Sequence, residues 1–305
     1  MATIVAQETS APPRRKQKSE IIWSAWIWVA PALALELIFF IYPVITTITQ
    51  SFENKLSTDF VGLRNYIRIF TDASLLEVVR NNLIWLVLGT VLTVGLGLLV
   101  AVLIDRVKVE QAVKSALFLP MAISFVGAGV IWRLVFIYQP ANEPQIGLLN
   151  AIYTFFGGQP QIWLQDPRFN TFAMIAIYTW MMTGFCMVIL SAALKGIPDE
   201  ILEAAKMDGA GRVTIFWQIM IPMIKPTLTV VTVTMIINLL KIFDVVYISG
   251  GQDYHASVVA VEFYNQLFNI GDYGQASALA VLLMLAIVPV MIFNVRQIRQ
   301  QEKMR

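Results

Sequence analysis

The chain has 305 residues, 57% of them hydrophobic and 14% charged, with a formal net charge of +2 and a mean hydropathy of +0.68. Soluble domains carry about 25% charged residues, so this balance excludes an ordinary soluble domain, and the small net charge gives no footing for nucleic-acid binding. A single cysteine, Cys186, and a single histidine, His255, exclude an internal disulfide, a cysteine metal cluster and a histidine triad, and no metal site is expected.

The N-terminal segment 1–20 is polar and then basic, with Arg14, Arg15, Lys16 and Lys18, and reads as a disordered tail. The apolar run behind it, 21–48, is too long for a signal-peptide core and has no small-residue cleavage pattern, so it reads as a retained first span. A helix needs about 20 apolar residues to cross a bilayer. Five further stretches qualify: 83–104, 115–138, 172–194, 227–249 and 277–295. The expected fold is therefore an all-α integral membrane protein with six transmembrane helices.

Between the first two spans, 49–82 is amphipathic: "FVGLRNYIRIF" and "SLLEVVRNNL" repeat apolar residues at helical spacing, which predicts a helix pair lying outside the membrane. Basic residues set orientation. They gather in the N-terminal tail, in the second connection (Arg106, Lys108, Lys114), in the fourth (Lys195, Lys206, Arg212, Lys225) and in the tail 296–305 (Arg296, Arg299, Lys303, Arg305). The third connection has only Arg168 and the fifth has none, so both termini are expected in the cytoplasm. The first connection departs from this pattern with Lys55, Arg64, Arg68 and Arg80, offset by four carboxylates. Gly89, Gly95, Gly97, Gly127 and Gly129 permit close helix approach in lipid.

The connection 195–226 is the most sharply punctuated part of the chain. Pro198 suits a helix start, Asp199 and Glu200 follow where the dipole favours acid, and Gly209 suits a helix end. A second helix, "RVTIFWQIMI", is expected to end at Pro222, with Pro226 opening the fifth span. Ala204 and Ala205 give the first helix a smooth side with Glu203 as one anionic handle, a shape suited to a groove on another protein. A plain amphipathic surface helix is the alternative.

Ionisable residues inside spans are functional candidates by default. Glu36 lies in span one and has no assigned role. Arg133 lies near the outer end of span three and either snorkels to the interface or faces the solute path. Lys241 and Asp244, three apart in span five, either neutralise one another or border a polar cavity, with Asn238 on the same face.

The segment Glu203-Ala204-Ala205, then Gly209 and Ile219-Met220-Ile221-Pro222, resembles in every spacing the cytoplasmic loop of binding-protein-dependent ABC importer permeases, with Ile221 in place of the usual leucine. "KGIPDEILEAAKMDGAG", "VGLRNY" at 61–66, "LFLPMAIS" at 117–124, "KIFDVVYISGG" at 241–251 and "DYGQASALAVLL" at 272–283 are similar to the sugar-permease branch. The resemblance implies the type I importer fold, with a permease core over 83–295 in the plasma (inner) membrane. It implies that 195–226 holds a coupling helix: Glu203 pairs with a basic group of a separate ATPase, Asp208 helps cap and Gly209 turns the chain.

The implied partners are a second permease, usually a different polypeptide, two ATPase subunits and an external solute-binding protein acting at loops 49–82, 139–171 and 250–276. The chain carries no G-x-x-x-x-G-K-[ST] phosphate loop, so ATP and magnesium are expected on the ATPase, with no cofactor here and no enzymatic activity of its own. The cargo implied is a sugar or glycoside of about disaccharide size, glycosidic compatible solutes included. Such a neutral ligand needs amides, hydroxyls and aromatic faces, which suits Asn238; by family position Tyr178, Met181 and Phe185 in span four join it, unless they serve only in packing. Alternatives are a permease for a non-sugar solute and an integral-membrane transferase, which needs clustered carboxylates beyond Asp199 and Glu200.

Overall fold

The structure is a computed structural model that describes residues 23–105, 107, 109–251 and 253–303. The expected basic tail 1–20, with Arg106 and Lys108, lies outside the described residues. The chain divides into two units, residues 1–46 and 47–305. In the first, α1 (Trp23–Glu36) continues through a π turn (Leu37–Ile41) into α2 (Tyr42–Gln50). The described side chains from Val29 to Ile45 are exposed, Glu36 among them. A helix apolar on all sides with no cover from its own unit is suited to lipid.

Among the described residues of the second unit the regular elements are helices, with an isolated bridge between Glu53 and Phe60. The unit starts with the amphipathic α3 (Arg64–Thr71) and α4 (Ala73–Ile84). The Asp72 carboxylate caps α4, accepting from the main-chain N–H of Ser74 at 2.9 Å. The two do not form the separate surface pair that the sequence predicts. α4 runs through a π turn (Trp85–Gly89) into α5 (Thr90–Leu103), giving one apolar helix from Ala73 to Leu103. Its first turns are amphipathic because one side packs on the loop 254–259: the Asn81 amide donates to the carbonyls of Tyr254, His255 and Ser257 at 3.1–3.2 Å.

The third span is broken. α6 (Glu110–Phe118) and a 3-10 turn (Leu119–Ala122) meet α7 (Phe125–Val135) at an angle of 102°. Ile123 and Ser124 are extended, and the Ser124 hydroxyl caps α7 by accepting from the Gly127 N–H at 3.0 Å. Pro120 tightens the turn ahead of them, and a serine cap behind restarts a helix in a new direction. A short α8 (Leu148–Phe155) follows. There the buried Asn150 amide donates to the carbonyls of Ile137 and Gln161 and accepts from the Trp163 ring N–H.

The central element is α9 (Asn170–Lys195). Two thirds (67%) of its apolar window is buried inside the chain, against 33% or less for the other spans. Its two sides are set by glycines. A Cβ on Gly97 of α5 would come within 2.5 Å of Cys186 Cβ, and one on Gly184 within 2.1 Å of the Leu117 carbonyl oxygen of α6. A Cβ on Gly95 would meet nothing within 4 Å, and one on Gly127 would meet only its own turn, so neither packs against another helix of this chain.

After α9 come α10 (Asp199–Met207) and α11 (Arg212–Ile215). The second helix of this connection does not end at Pro222. A π turn (Phe216–Met220) carries it into α12 (Ile221–Leu240), past both Pro222 and Pro226. Wide turns and membrane helices tolerate the amide hydrogen bonds that proline lacks. The fifth span then stops at Leu240, well short of 249. Lys241–Phe243 is unwound, and the chain restarts as α13 (Asp244–Ile248). The predicted external loop 250–276 contains α14 (Val259–Tyr264) and a π turn (Asn265–Ile270), and α15 (Tyr273–Lys303) closes the chain.

Candidate functional site: a mid-chain cavity and the segment after α9

A cavity of about 280 Å³ opens where α7, α9 and the break between α12 and α13 converge. α9 contributes Tyr178, Met182 and Phe185, and α12 contributes Met235 and Asn238. The unwound turn adds Lys241, Ile242 and Phe243, with Asp244 opening α13. Met121 and Phe125 complete the wall from the third span. The volume sits near the lower end of the usual range for small-molecule sites, about 300–1,000 Å³.

Its aromatic face is held rigidly. The Tyr178 ring stacks on Phe125 at 5.9 Å with an interplanar angle of 6°, and meets Trp85 edge-on at 6.1 Å. Phe243 stacks on Tyr247 at 5.1 Å, and both meet Tyr264 at 5.2–5.5 Å. Such rings have few rotamers left to lose when an apolar ligand face lies against them.

The break at Lys241–Phe243 explains the two charges. Lys241 follows the C-terminus of α12, where a cation is favoured, and Asp244 begins α13, where an anion is favoured. Both are exposed toward the cavity, and among the described residues they form no ion pair with each other, because the break ends the helical spacing that would align them. Asn238, one turn back on α12, adds an amide with two donors and an acceptor.

Five of the seven pathway candidates thus share one cavity: Asn238, Lys241, Asp244, Tyr178 and Phe185. Met181 does not border it; its neighbour Met182 takes the lining position. Arg133 lines a different cavity of about 500 Å³, with Tyr138, Trp163 and Gln165. Lining residues that sequence reasoning missed are Met121, Phe125, Met182, Met235, Ile242 and Phe243. The first two lie in or beside the "LFLPMAIS" segment, so the signal was present but carried no position.

In the segment after α9, Gly196 and Ile197 lead to Pro198 as the residue before α10. Asp199 and Glu200 occupy its first turn and Lys206 its last, so charges suit both ends of the dipole. Asp208 caps through its main chain, its N–H reaching the Ala204 carbonyl at 3.0 Å. Gly209 then turns the chain at φ +80°, in the left-handed region. The smooth side is smaller than the sequence suggests. Ala205 is turned inward, while Glu203 and Ala204 stay exposed. The exposed apolar side chains are larger ones: Met207 (87% exposed), Val213 (73%) and Trp217 (63%).

Residues 93–302 match the family described as binding-protein-dependent transport system inner membrane component. The chain is 51% identical to the "Osmoprotective compounds uptake permease protein GgtC" of Synechocystis sp., over 92% of this chain and all of that one. It is 42% identical to the "Alpha-glucoside transport system permease protein AglF" of Rhizobium meliloti, over 89% of this chain and 81% of that one. The fold matches a chain of a bacterial ABC transporter that imports the acidic polysaccharide alginate, with a TM-score of 0.76 and 21% identity over 91% of this chain and 96% of that chain. By the family match over 93–302 and these relatives, the chain belongs to the inner-membrane permease component family of binding-protein-dependent ABC importers.

Proposed function

We propose that this permease carries a neutral glycoside of about disaccharide size, an osmoprotective glycoside included, through the cavity between α9 and the α12–α13 break. The observation that carries the reading is the pairing of Asn238 with rigid aromatic faces in one cavity, in a chain close to permeases named for osmoprotective compounds and alpha-glucosides. Aromatic faces suit the C–H surface of a sugar ring, and an amide can both donate to and accept from hydroxyls. Lys241 and Asp244, held apart at two helix ends, each offer a charge-assisted hydrogen bond to a hydroxyl. The cavity is small for a disaccharide, so a second permease supplies the facing wall.

The stroke comes from outside the chain. α10 seats on one of two ATPase subunits, which hold ATP and magnesium, and the chain needs no cofactor of its own. Glu203 and Ala204 face that partner, with Met207, Val213 and Trp217 as the apolar part of the contact. Asp208 and Gly209 shape the turn behind it. An external solute-binding protein delivers cargo at 49–82, 139–171 and 250–276, and both termini lie in the cytoplasm. A solved relative of this fold is described with an alginate-bound periplasmic protein, which supports that partner.

The test is the reconstituted complex, assayed for solute-stimulated ATP hydrolysis against disaccharides, glycosidic osmolytes, amino acids and glycerol phosphate. Stimulation by glycosides, abolished by Asn238→Leu, is expected; stimulation by amino acids alone would overturn the cargo. Glu203→Lys should leave the chain in the membrane and remove uptake, and normal uptake in that variant would overturn the docking reading.

A further inference from the structure

Glu110, the first residue of α6, stands between two lysines. Its Oε1 lies 2.6 Å from the Lys114 ammonium, one turn on along α6, and 2.6 Å from the Lys195 ammonium, the last residue of α9. The Glu110 side chain is 16% exposed and Lys114 23%, while Lys195 is 49% exposed, so the carboxylate is sheltered and its cross-helix partner is half open to solvent. Isolated surface pairs contribute little, whereas a carboxylate shared between two fixed cations forms a network. A second tie lies two turns further along α6, where Gly184 of α9 meets the Leu117 carbonyl. An ion pair and a close packing contact thus lie at two heights along the seam between α6 and α9.

The position of these ties is what gives them a role. Lys195 is followed by Gly196, Ile197 and Pro198, then by α10. α6 leads in the other direction, through the 3-10 turn, to Met121 and Phe125 on the cavity wall. α9 carries Tyr178, Met182 and Phe185 on the adjoining wall.

We infer that Glu110 is a positioning residue for transport: by clamping Lys195 it makes α6 and α9 one body, so that a stroke received at α10 moves both cavity walls together. The inference rests on the reading of α10 as the ATPase-docking helix. Lys114 serves only to hold the carboxylate in place along its own helix; the cross-helix contact is Glu110 with Lys195.

The experiment uses the full complex with its ATPases and solute-binding protein in proteoliposomes, trehalose as the transported probe, and ATP hydrolysed per trehalose imported as the readout. Glu110→Gln and Lys195→Met should each raise that ratio roughly fivefold or more, the lower bound for coupled sites. The double variant should be no worse than either single one, because both remove the same contact. Lys114→Met keeps the cross-helix pair but removes its support, so it should raise the ratio less than either of those variants. A wild-type ratio in Glu110→Gln, additive single effects, or an equal loss in Lys114→Met each overturns the inference.

A second measurement does not depend on those variants. Cys186 is the only cysteine and is buried, so spin labels at Gln111→Cys and Ala192→Cys report the α6–α9 distance directly. It should stay constant between the resting and the ATP-vanadate-trapped complex, and a shift on trapping overturns the single-body inference. Glu203→Lys, run alongside, separates the two readings. If it uncouples while Glu110→Gln does not, only the clamp fails; if it does not uncouple, the docking reading fails too.

Discussion

Replacing Gly184 by alanine adds one methyl group at the tightest helix contact in the chain. The new Cβ would lie 2.1 Å from the Leu117 carbonyl oxygen, 2.7 Å from its carbon and 2.9 Å from Phe118 Cα, all main-chain atoms. Ordinary van der Waals contact begins at 3.4 Å, so α6 and α9 must part by the difference from 2.1 Å, which is 1.3 Å. No side-chain rotation can absorb this, because the obstacle is backbone. Overpacking of this kind costs about 1–3 kcal/mol, and the alanine recovers at most ~1 kcal/mol of helix propensity. The net expectation is a loss of up to about 2 kcal/mol. It should come with weaker solute stimulation, since Met121 rides on the displaced segment and lines a cavity of only about 280 Å³.

The assay compares thermal unfolding of the purified complex for Gly184→Ala, Gly97→Ala and Gly95→Ala. Gly97→Ala should be intermediate, because its nearest obstacle, Cys186 Cβ, lies at 2.5 Å and the main-chain atoms behind it at 3.0 and 3.2 Å, a lesser overlap than at Gly184. Gly95→Ala meets nothing within 4 Å and should be neutral or slightly stabilising. If Gly184→Ala proves as stable as Gly95→Ala, the close α6–α9 contact is refuted, and with it one of the two ties that make those helices a single body.

Two predictions concern the loop that α4 holds. Asn81→Ala leaves the carbonyls of Tyr254, His255 and Ser257 without their shared donor at a site 4% exposed; a loss of about 1–3 kcal/mol of local stability is expected, read as faster limited proteolysis within 250–258. The His255 ring nitrogen lies 3.1 Å from the Glu77 carboxylate, and that hydrogen bond and charge raise the imidazole pKa above its usual 6.5. A raised folded-state value means that the tie is fully present below pH 6.5 and is lost as pH rises through the higher value. Hydrogen exchange over 253–259, corrected for intrinsic rates, should therefore show less protection above that window than below it, and His255→Gln should remove the difference.

What the sequence revealed and what it concealed follow from how each element is stabilised. α9 was legible because an uncharged apolar stretch of spanning length has one low-energy form in lipid. The turn at Gly209 was legible because an acid-led helix start and a glycine end are local signals, read without knowing any neighbour. Gly95 and Gly97 could not be told apart, since only the position of α9 makes one a contact and leaves the other open. Met181 and Met182 differ for the same reason: one residue of helical rotation decides between core and cavity, and that rotation is set by packing on α5 and α6. The exposed Met207, Val213 and Trp217 are apolar side chains in a charged connection, a signal that the smooth Ala204-Ala205 pair beside them masks.

The breaks carry the larger lesson. Apolarity alone joins 115–138 and 227–249 into spans, because hydropathy has no term for direction. Each break nonetheless left a mark: Pro120 and Ser124 flank one, and Lys241 with Asp244 flank the other. A lysine followed three residues later by an aspartate reads as a pair along a continuous helix, yet the same spacing also fits a cation closing one helix and an anion opening the next. In water the two readings cost nearly the same. Inside a membrane the second frees main-chain groups that lipid cannot satisfy, so it persists only where the broken turn borders a polar cavity. Lys241, Asp244 and the cavity are thus one feature: the unwound turn borders the cavity, and the cavity has its polar wall because the helix stops there.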